Sequence, residues 1–264
     1  MLQPSTLLNI FLGFVIFLAL ASWIGLVILL PASKYTVPIM MYHHISEKDF
    51  GPDSVTPENF RWHMEYLKKK RYRVIGVEEL VEKMARGERI PKKTVALAFD
   101  DGYRDNYTYA FPILKEFQYP AIFFVAPGSL AVNGFMSWDQ IREIKSAGFT
   151  FGSHGMNQIY LPSLSSEKLR QEIFESKRAL EKELGVKVDY FAYPVGGFTD
   201  EVKTLAKQAG YKAAFSTNRG QDRFNRDLYA INRVRFSNAD NTTLILWMKL
   251  SGYNNRFRKP KSPA

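Results

Sequence analysis

The 264-residue chain contains no cysteine, which excludes a disulfide framework, a thiolate metal site and a cysteine nucleophile. It has no internal repeat or low-complexity stretch, so fibrous and solenoid architectures are set aside. No recognition helix or aromatic RNA-binding pattern is present, so no nucleic-acid partner is expected. A local absence says more: no Lys, Arg, Asp or Glu precedes Lys34. Within that stretch, Leu7 to Leu30 is apolar apart from Asn9 and Ser22, and Pro31 closes the run. About 20 apolar residues span a bilayer, whereas a secretory apolar region runs about 7–15 residues behind a basic start. The expectation is one N-terminal transmembrane helix, with residues 1–33 as a membrane anchor. Ala19-Leu20-Ala21 imitates a cleavage site, but cutting there would leave the apolar WIGLVILL exposed.

The remainder has the size of one sizeable globular domain, set at 34–255, in a chain that is 46% hydrophobic with 17 Gly and 13 Pro. The formal charge of +10 lies wholly outside residues 1–33. A basic surface beside a membrane suits anionic headgroups or an anionic polymer. A basic tail, 256–264, adds Arg256, Arg258, Lys259 and Lys261. Lys34 and Lys48 against an uncharged N-terminal flank lean toward a cytoplasmic domain, but long domains translocate largely regardless of so small a difference. A single-pass membrane protein with its domain extracytoplasmic is the expectation adopted.

Strand and helix signals alternate along the domain. Val37–Ile45 reads as a buried strand ending in Tyr42, His43 and His44. Thr56-Pro57-Glu58 supplies an N-cap, a first-turn proline and an early acid for a helix with Phe60, Met64 and Leu67 on one face. RYRVIGV reads as a second strand, VEELVEKMAR as a helix stopped by Gly87, and TVALAF as a third strand. A helix over Tyr107–Phe117, kinked or restarted at Pro112, leads to AIFFV, and Ser137–Gln140 caps the next helix. Phe149–Gly155 is a fifth strand, Ser165–Leu184 the longest helix, and VDYFAYPVGG a sixth strand. A helix over Thr199–Ala209, strands KAAFST and YAINRVRF, and a helix around Thr242–Leu250 complete the domain.

Such alternation implies a parallel sheet covered on both faces, either a barrel or an open doubly wound sheet. The polar residues favour the barrel. His43, Asp100, Asp101, His154, Tyr193 and Arg233 all fall at or just past the carboxyl ends of separate strands, where a (β/α) barrel gathers its active site. Asp100 and Asp101 end an apolar strand ahead of Gly102, which fits either an Asp-Gly turn or a catalytic pair. Neighbours on a strand point differently, so one carboxylate can hold a cation while the other handles a proton. Asp101 with His154 makes a partial site for a divalent ion, with Asp100 as base.

FDDG, the SH of GSHGMNQ, and AYPVG resemble, in order and spacing, three motifs of the polysaccharide deacetylases, the NodB-homology domain of carbohydrate esterase family 4. MYHHI, YRDNYTYAFPILKEFQYPAIFFV and SWDQIREIKSAG are similar to the branch acting on poly-N-acetylglucosamine. The resemblance covers roughly Pro38–Phe236. It implies a distorted (β/α) barrel of seven or eight parallel strands, a divalent metal of the zinc, cobalt or nickel class, and hydrolysis of N-acetyl groups on a polysaccharide. By motif, Asp100 matches the catalytic base, and Asp101 and His154 match metal ligands.

Three positions depart from the family. Its second metal-binding His has no counterpart, and Gln158 and Ile159 occupy those places; an amide oxygen is a weaker donor than imidazole. Ala192 stands where the third motif begins with Arg, and Arg233 where the fifth supplies a His. His43 then becomes the candidate acid or extra ligand, and Arg233 the positive charge near Asp100. Tyr103, Trp138 and Tyr193 are candidates for stacking on sugar, with core packing the competing role for Trp138. The leading reading is a membrane-anchored, metal-dependent deacetylase of a cell-surface glycan. The alternative is a deacetylase-like protein that has lost turnover and binds glycan or an envelope partner.

Overall fold

Short strands with almost no exposed backbone build the ring. The computed structural model describes residues 12–19, 22, 35–218, 222 and 225–252. The chain divides into two units, Met1–Tyr35 and Thr36–Ala264. The strands of the second are β1 (Ile39–Tyr42), β2 (His44–Ile45), β3 (Ser54–Val55), β4 (Arg73–Val74), β5 (Thr94–Phe99), β6 (Ile122–Val125), β7 (Thr150–Ser153), β8 (Tyr190–Ala192), β9 (Ala213–Ser216), β10 (Ile231–Asn232) and β11 (Val234–Arg235). Hydrogen-bonded neighbours run β10-β9-β8-β7-β6-β5-β1-β11, and every pairing is parallel.

The two ends of that path are halves of one segment. β10 joins β9 through Ile231 opposite Phe215, β11 joins β1 through Val234 opposite Met40, and Arg233 alone separates them. The eight strands therefore form a nearly closed barrel, the alternative that the polar residues at the strand ends favour. β4 pairs with β5 outside the ring, so the RYRVIGV strand shrinks to Arg73–Val74 and takes no part in closure.

Local chemistry explains the elements. All six residues of β5 are buried, which is what an apolar run facing a packed interior on one side and helices on the other requires. In β7, a Cβ on Gly152 would lie 2.4 Å from the Phe124 ring, so only glycine lets that ring fill the barrel. Thr56 accepts a hydrogen bond from the Asn59 amide at 3.2 Å and starts the helix Pro57–Lys69, which buries Phe60, Met64 and Leu67. Ser137 and Gln140 close a reciprocal capping box on Trp138–Ser146.

Two helices depart from the simple periodic reading. A π turn, Asn106–Ala110, precedes the α-helix Phe111–Phe117, and Pro112 falls in the first turn of that helix, where no amide donor is needed. The long helix carries a π segment, Gln171–Glu175, between Ser166–Arg170 and Ser176–Leu184. Such bulges are common at functional sites.

The expected transmembrane run lies mostly outside the described residues. Residues 12–19 are helical and exposed, and among the described residues no helix is long and apolar enough to cross a membrane. The basic tail 256–264 also lies outside them.

Candidate active site

The strand ends converge on one cavity of about 690 Å³. His43 follows β1, Asp100, Asp101 and Tyr103 follow β5, His154 and Gln158 follow β7, Tyr193 follows β8, and Arg233 sits in the closing segment; all eight line it. Residues spread over nearly two hundred positions are thus brought to a single mouth.

Asp100 is held from behind. The Arg233 guanidinium donates through both terminal nitrogens, at 2.5 and 2.7 Å, to its two carboxylate oxygens. The side chains are 1% and 3% exposed, and the Arg233 group also lies 5.2 Å over the Phe124 ring. A bidentate fork of this kind fixes the plane of the carboxylate. Each oxygen keeps a second lone pair for another partner. Among the described residues the buried Nε of Arg233 has no acceptor, and the fork makes Arg233 the group that positions Asp100 within the cavity lining.

Asp101 faces a different set of groups because its backbone is left-handed, with φ at 74°. Its Oδ1 lies 3.3 Å from His154 Nε2 and accepts from Gln158 Nε2 at 2.5 Å. Burial opposes the Asp101 charge, but the bond to His154 and the charges of His154 and His43 outweigh it and lower its pKa. Burial also opposes charge on His154, and there Asp100 together with the Asp101 bond prevails and raises the imidazole's pKa. Tyr103 is pushed up by burial first, then by the charge of Asp101 and the bond to it.

His154 is prepared as a ligand. Its Nδ1 donates to the Ala192 carbonyl at 2.8 Å, which orients the ring with Nε2 toward Asp101, and Nε2 becomes a ligand once it gives up its proton. Gln158 is left-handed at φ 57°, and a half-turn of its amide exchanges the donating nitrogen for an oxygen. One carboxylate, one imidazole and one amide oxygen thus fit a divalent cation with two strong donors and one weak one. Among the described residues no group of three or more His, Cys, Asp or Glu is arranged to hold a metal ion by itself.

The loop bearing Gln158 is fixed by a residue that sequence reading overlooked. Glu172, buried in the π segment, accepts from the Met156 and Asn157 amides at 2.8 and 2.9 Å and from Asn157 Nδ2 at 2.6 Å. Gly155, at φ 77°, turns tightly against that same carboxylate. A charged residue one helix away was legible only as a polar position among Leu169, Ile173 and Leu180.

The aromatic candidates separate. Tyr103 stands at the mouth, its ring stacked at 3.6 Å on His44 and at 5.2 Å on Phe135. Tyr193 is fully buried; its ring stacks on Phe198 at 5.0 Å and its hydroxyl donates to the Tyr229 carbonyl. It forms wall, with no free face for a sugar, and Trp138 packs against the core. His43 lies in the cavity with Asp53 3.8 Å from its Nδ1, and among the described residues that buried nitrogen has no hydrogen-bond partner.

Comparison with known proteins agrees with this geometry. The polysaccharide deacetylase family profile matches residues 87–214. A poly-beta-1,6-N-acetyl-D-glucosamine N-deacetylase of Staphylococcus aureus is 26% identical over 211 residues, covering 75% of this chain and 72% of the relative. The Streptococcus pyogenes deacetylase PplD, solved in complex with acetate, is 29% identical, with a TM-score of 0.71 over 76% of this chain and 92% of its own. IcaB from Ammonifex degensii, at 23% identity, shares the fold with a TM-score of 0.73 over 81% and 97% of the two chains. With Asp100, Asp101 and His154 inside the matched span and at one barrel mouth, residues 87–214 carry a polysaccharide deacetylase domain, and the chain around them is similar to hydrolases of that family.

Proposed function

We propose that the protein removes acetyl groups from N-acetylhexosamine units of a cell-surface glycan. It uses a divalent cation of the zinc, cobalt or nickel class and works from a membrane anchor with its domain extracytoplasmic. The observation that carries the reading is the Asp100 carboxylate, buried, aligned on both oxygens by Arg233 and adjacent to the Asp101–His154 pair.

Asp101, His154 and the Gln158 amide oxygen would hold the cation. When bound, it would supply a Lewis acid for the acetamide carbonyl and for water. Asp100 takes the proton from the attacking water, through the lone pairs that Arg233 leaves open. The Arg233 fork holds that carboxylate in one orientation before and after the proton arrives. His43, in the same cavity with its Nδ1 unengaged among the described residues, gives a proton to the departing amine. Tyr103, the one aromatic candidate at the mouth, borders the sugar.

A second reading, a binding protein without turnover, is favoured by Gln158, which stands where the family resemblance implies imidazole and whose amide nitrogen engages Asp101. Acetate release from an N-acetylglucosamine oligomer separates the two. The full chain is assayed with zinc, cobalt and nickel in parallel, beside Asp100→Asn and Gln158→His. Release by the native chain that Asp100→Asn abolishes supports the enzyme. Release by Gln158→His alone supports the binding reading on an otherwise competent scaffold, and no release by any of them rejects deacetylation.

A further inference from the structure

The end of the barrel away from the mouth carries its own distinctive surface. The last helix, Thr243–Leu250, reads TLILWMKL and buries Leu246 and Leu250. It turns Leu244, Trp247 and Met248 outward at 62%, 58% and 47% exposure. Leu244 and Trp247 also border a shallow hollow of about 460 Å³ with Tyr66, Tyr72, Lys70 and Lys93. Large apolar side chains gathered within a basic rim mark an interaction surface rather than scattered exposure.

The fold tells which way this surface faces. Lys93 immediately precedes β5, and Lys70 and Tyr72 shortly precede β4. They therefore sit at the amino ends of strands whose carboxyl ends form the mouth. β1 and β5 pair with Ile39 opposite Ala96, and the Ala96 amide bonds the Pro38 carbonyl. Carried back, that register sets Thr36 level with Lys93. Thr36 in turn bonds the Gly252 carbonyl through its amide and its hydroxyl, both at 3.1 Å. Gly252 lies two residues past the exposed helix. The start of the domain, the end of that helix and the two lysines thus share one end of the barrel.

We propose that this end lies on an anionic lipid surface, with Leu244, Trp247 and Met248 in the headgroup layer and Lys70 and Lys93 against lipid phosphate. Trp and Lys are suited to that boundary, one with an amphipathic ring and the other with an apolar stem below its charge. The formal charge of +10 favours an anionic partner, and Arg256, Arg258, Lys259 and Lys261 follow within a few residues of Gly252. A second copy of the chain would bring Lys70 and Lys93 toward their own counterparts, which a two-fold contact penalises. The direction of approach rests on the membrane-anchor reading. It holds the mouth about 20 Å from the lipid, the length of a six-residue strand, and faces it toward a polymer outside.

The absence of cysteine makes single-site labelling clean. Leu244→Cys and Met248→Cys place a fluorophore on the proposed face. Val132→Cys, 55% exposed in the native chain and past β6 on the opposite end, is the control. Each full chain is mixed with phosphatidylcholine vesicles, with or without phosphatidylglycerol, that carry a shallow nitroxide lipid. The expected result is quenching at 244 and 248 but not at 132, stronger with phosphatidylglycerol. Lys70→Glu and Lys93→Glu each weaken it about fivefold. Sedimentation with vesicles reports the anchor separately. A chain that sediments with equal quenching at 132 and 244 overturns the placement alone, and a chain that does not sediment at all overturns both. Protection at 244 without lipid, at twice the chain mass, assigns the face to self-association instead.

Discussion

Asp100 and Asp101 are neighbours in sequence and occupy opposite electrostatic settings. The first continues the strand, its amide bonded to the Tyr42 carbonyl and its carboxylate locked to a permanent cation, Arg233. The second turns through a left-handed residue into a group of softer partners, His154 and Gln158. One carboxylate is compensated by a guanidinium; the other is left among imidazole and amide groups that could share it with a cation. The difference teaches that one mouth can pair one carboxylate with a fixed guanidinium and leave its neighbour among groups able to share it with an added ion.

The sharpest way to break that division is at the base. Asp100→Asn should lower acetate release about 10²–10⁴-fold, the usual contribution of a positioned base, while cation affinity stays near the native value. A parallel loss of cation binding would mean that the two carboxylates act as one. Arg233→Met tests the compensating side. It leaves a buried carboxylate unpaired, and urea denaturation should record a loss of about 3–5 kcal/mol, which Asp100→Asn in the same chain should partly restore.

A titration outside the mouth separates fold from site. His63 is held neutral by burial, its pKa pushed down to about 4, between the Tyr42 hydroxyl and the Asp240 carbonyl. Its unfolded pKa lies near 6.5, so the unfolded chain binds more protons between those values. The contribution is fully present above about pH 6.5 and is lost as pH falls toward 4, amounting to about 3 kcal/mol. Stability measured across that window should slope for the native chain and flatten for His63→Gln. An unchanged slope would place the acid sensitivity elsewhere.

On the cation side the effects are smaller. Glu172→Gln loosens the turn that carries Gln158 and should weaken zinc binding about 10–100-fold, with turnover at saturating metal largely kept. Gln158→His should strengthen zinc binding by about an order of magnitude, because imidazole is the better donor. If Glu172→Gln lowers turnover at saturating zinc while affinity holds, the loop serves chemistry directly.

Much of this arrangement was legible because it follows from local rules. Apolar runs such as Thr94–Phe99 declared buried parallel strands, and polar residues at their ends declared the mouth. Arg233 could be assigned to Asp100 because the barrel brings the last strand beside the first. What stayed hidden depends on distant packing. Glu172 reads as one more helical acid until its helix lies against the Met156–Asn157 turn. Tyr193 occupies a strand end like the other candidates, yet Phe198 and the Tyr229 carbonyl consume it. The split of YAINRVRF at Arg233 follows from closure of the ring, which no local signal encodes.

Calorimetric zinc titration of Asp100→Asn and Asp101→Asn, paired with acetate release from each, tests the division of labour most directly. The expected result is that both variants lose turnover while only Asp101→Asn loses zinc. Zinc binding retained by Asp101→Asn, or lost by Asp100→Asn, would contradict it.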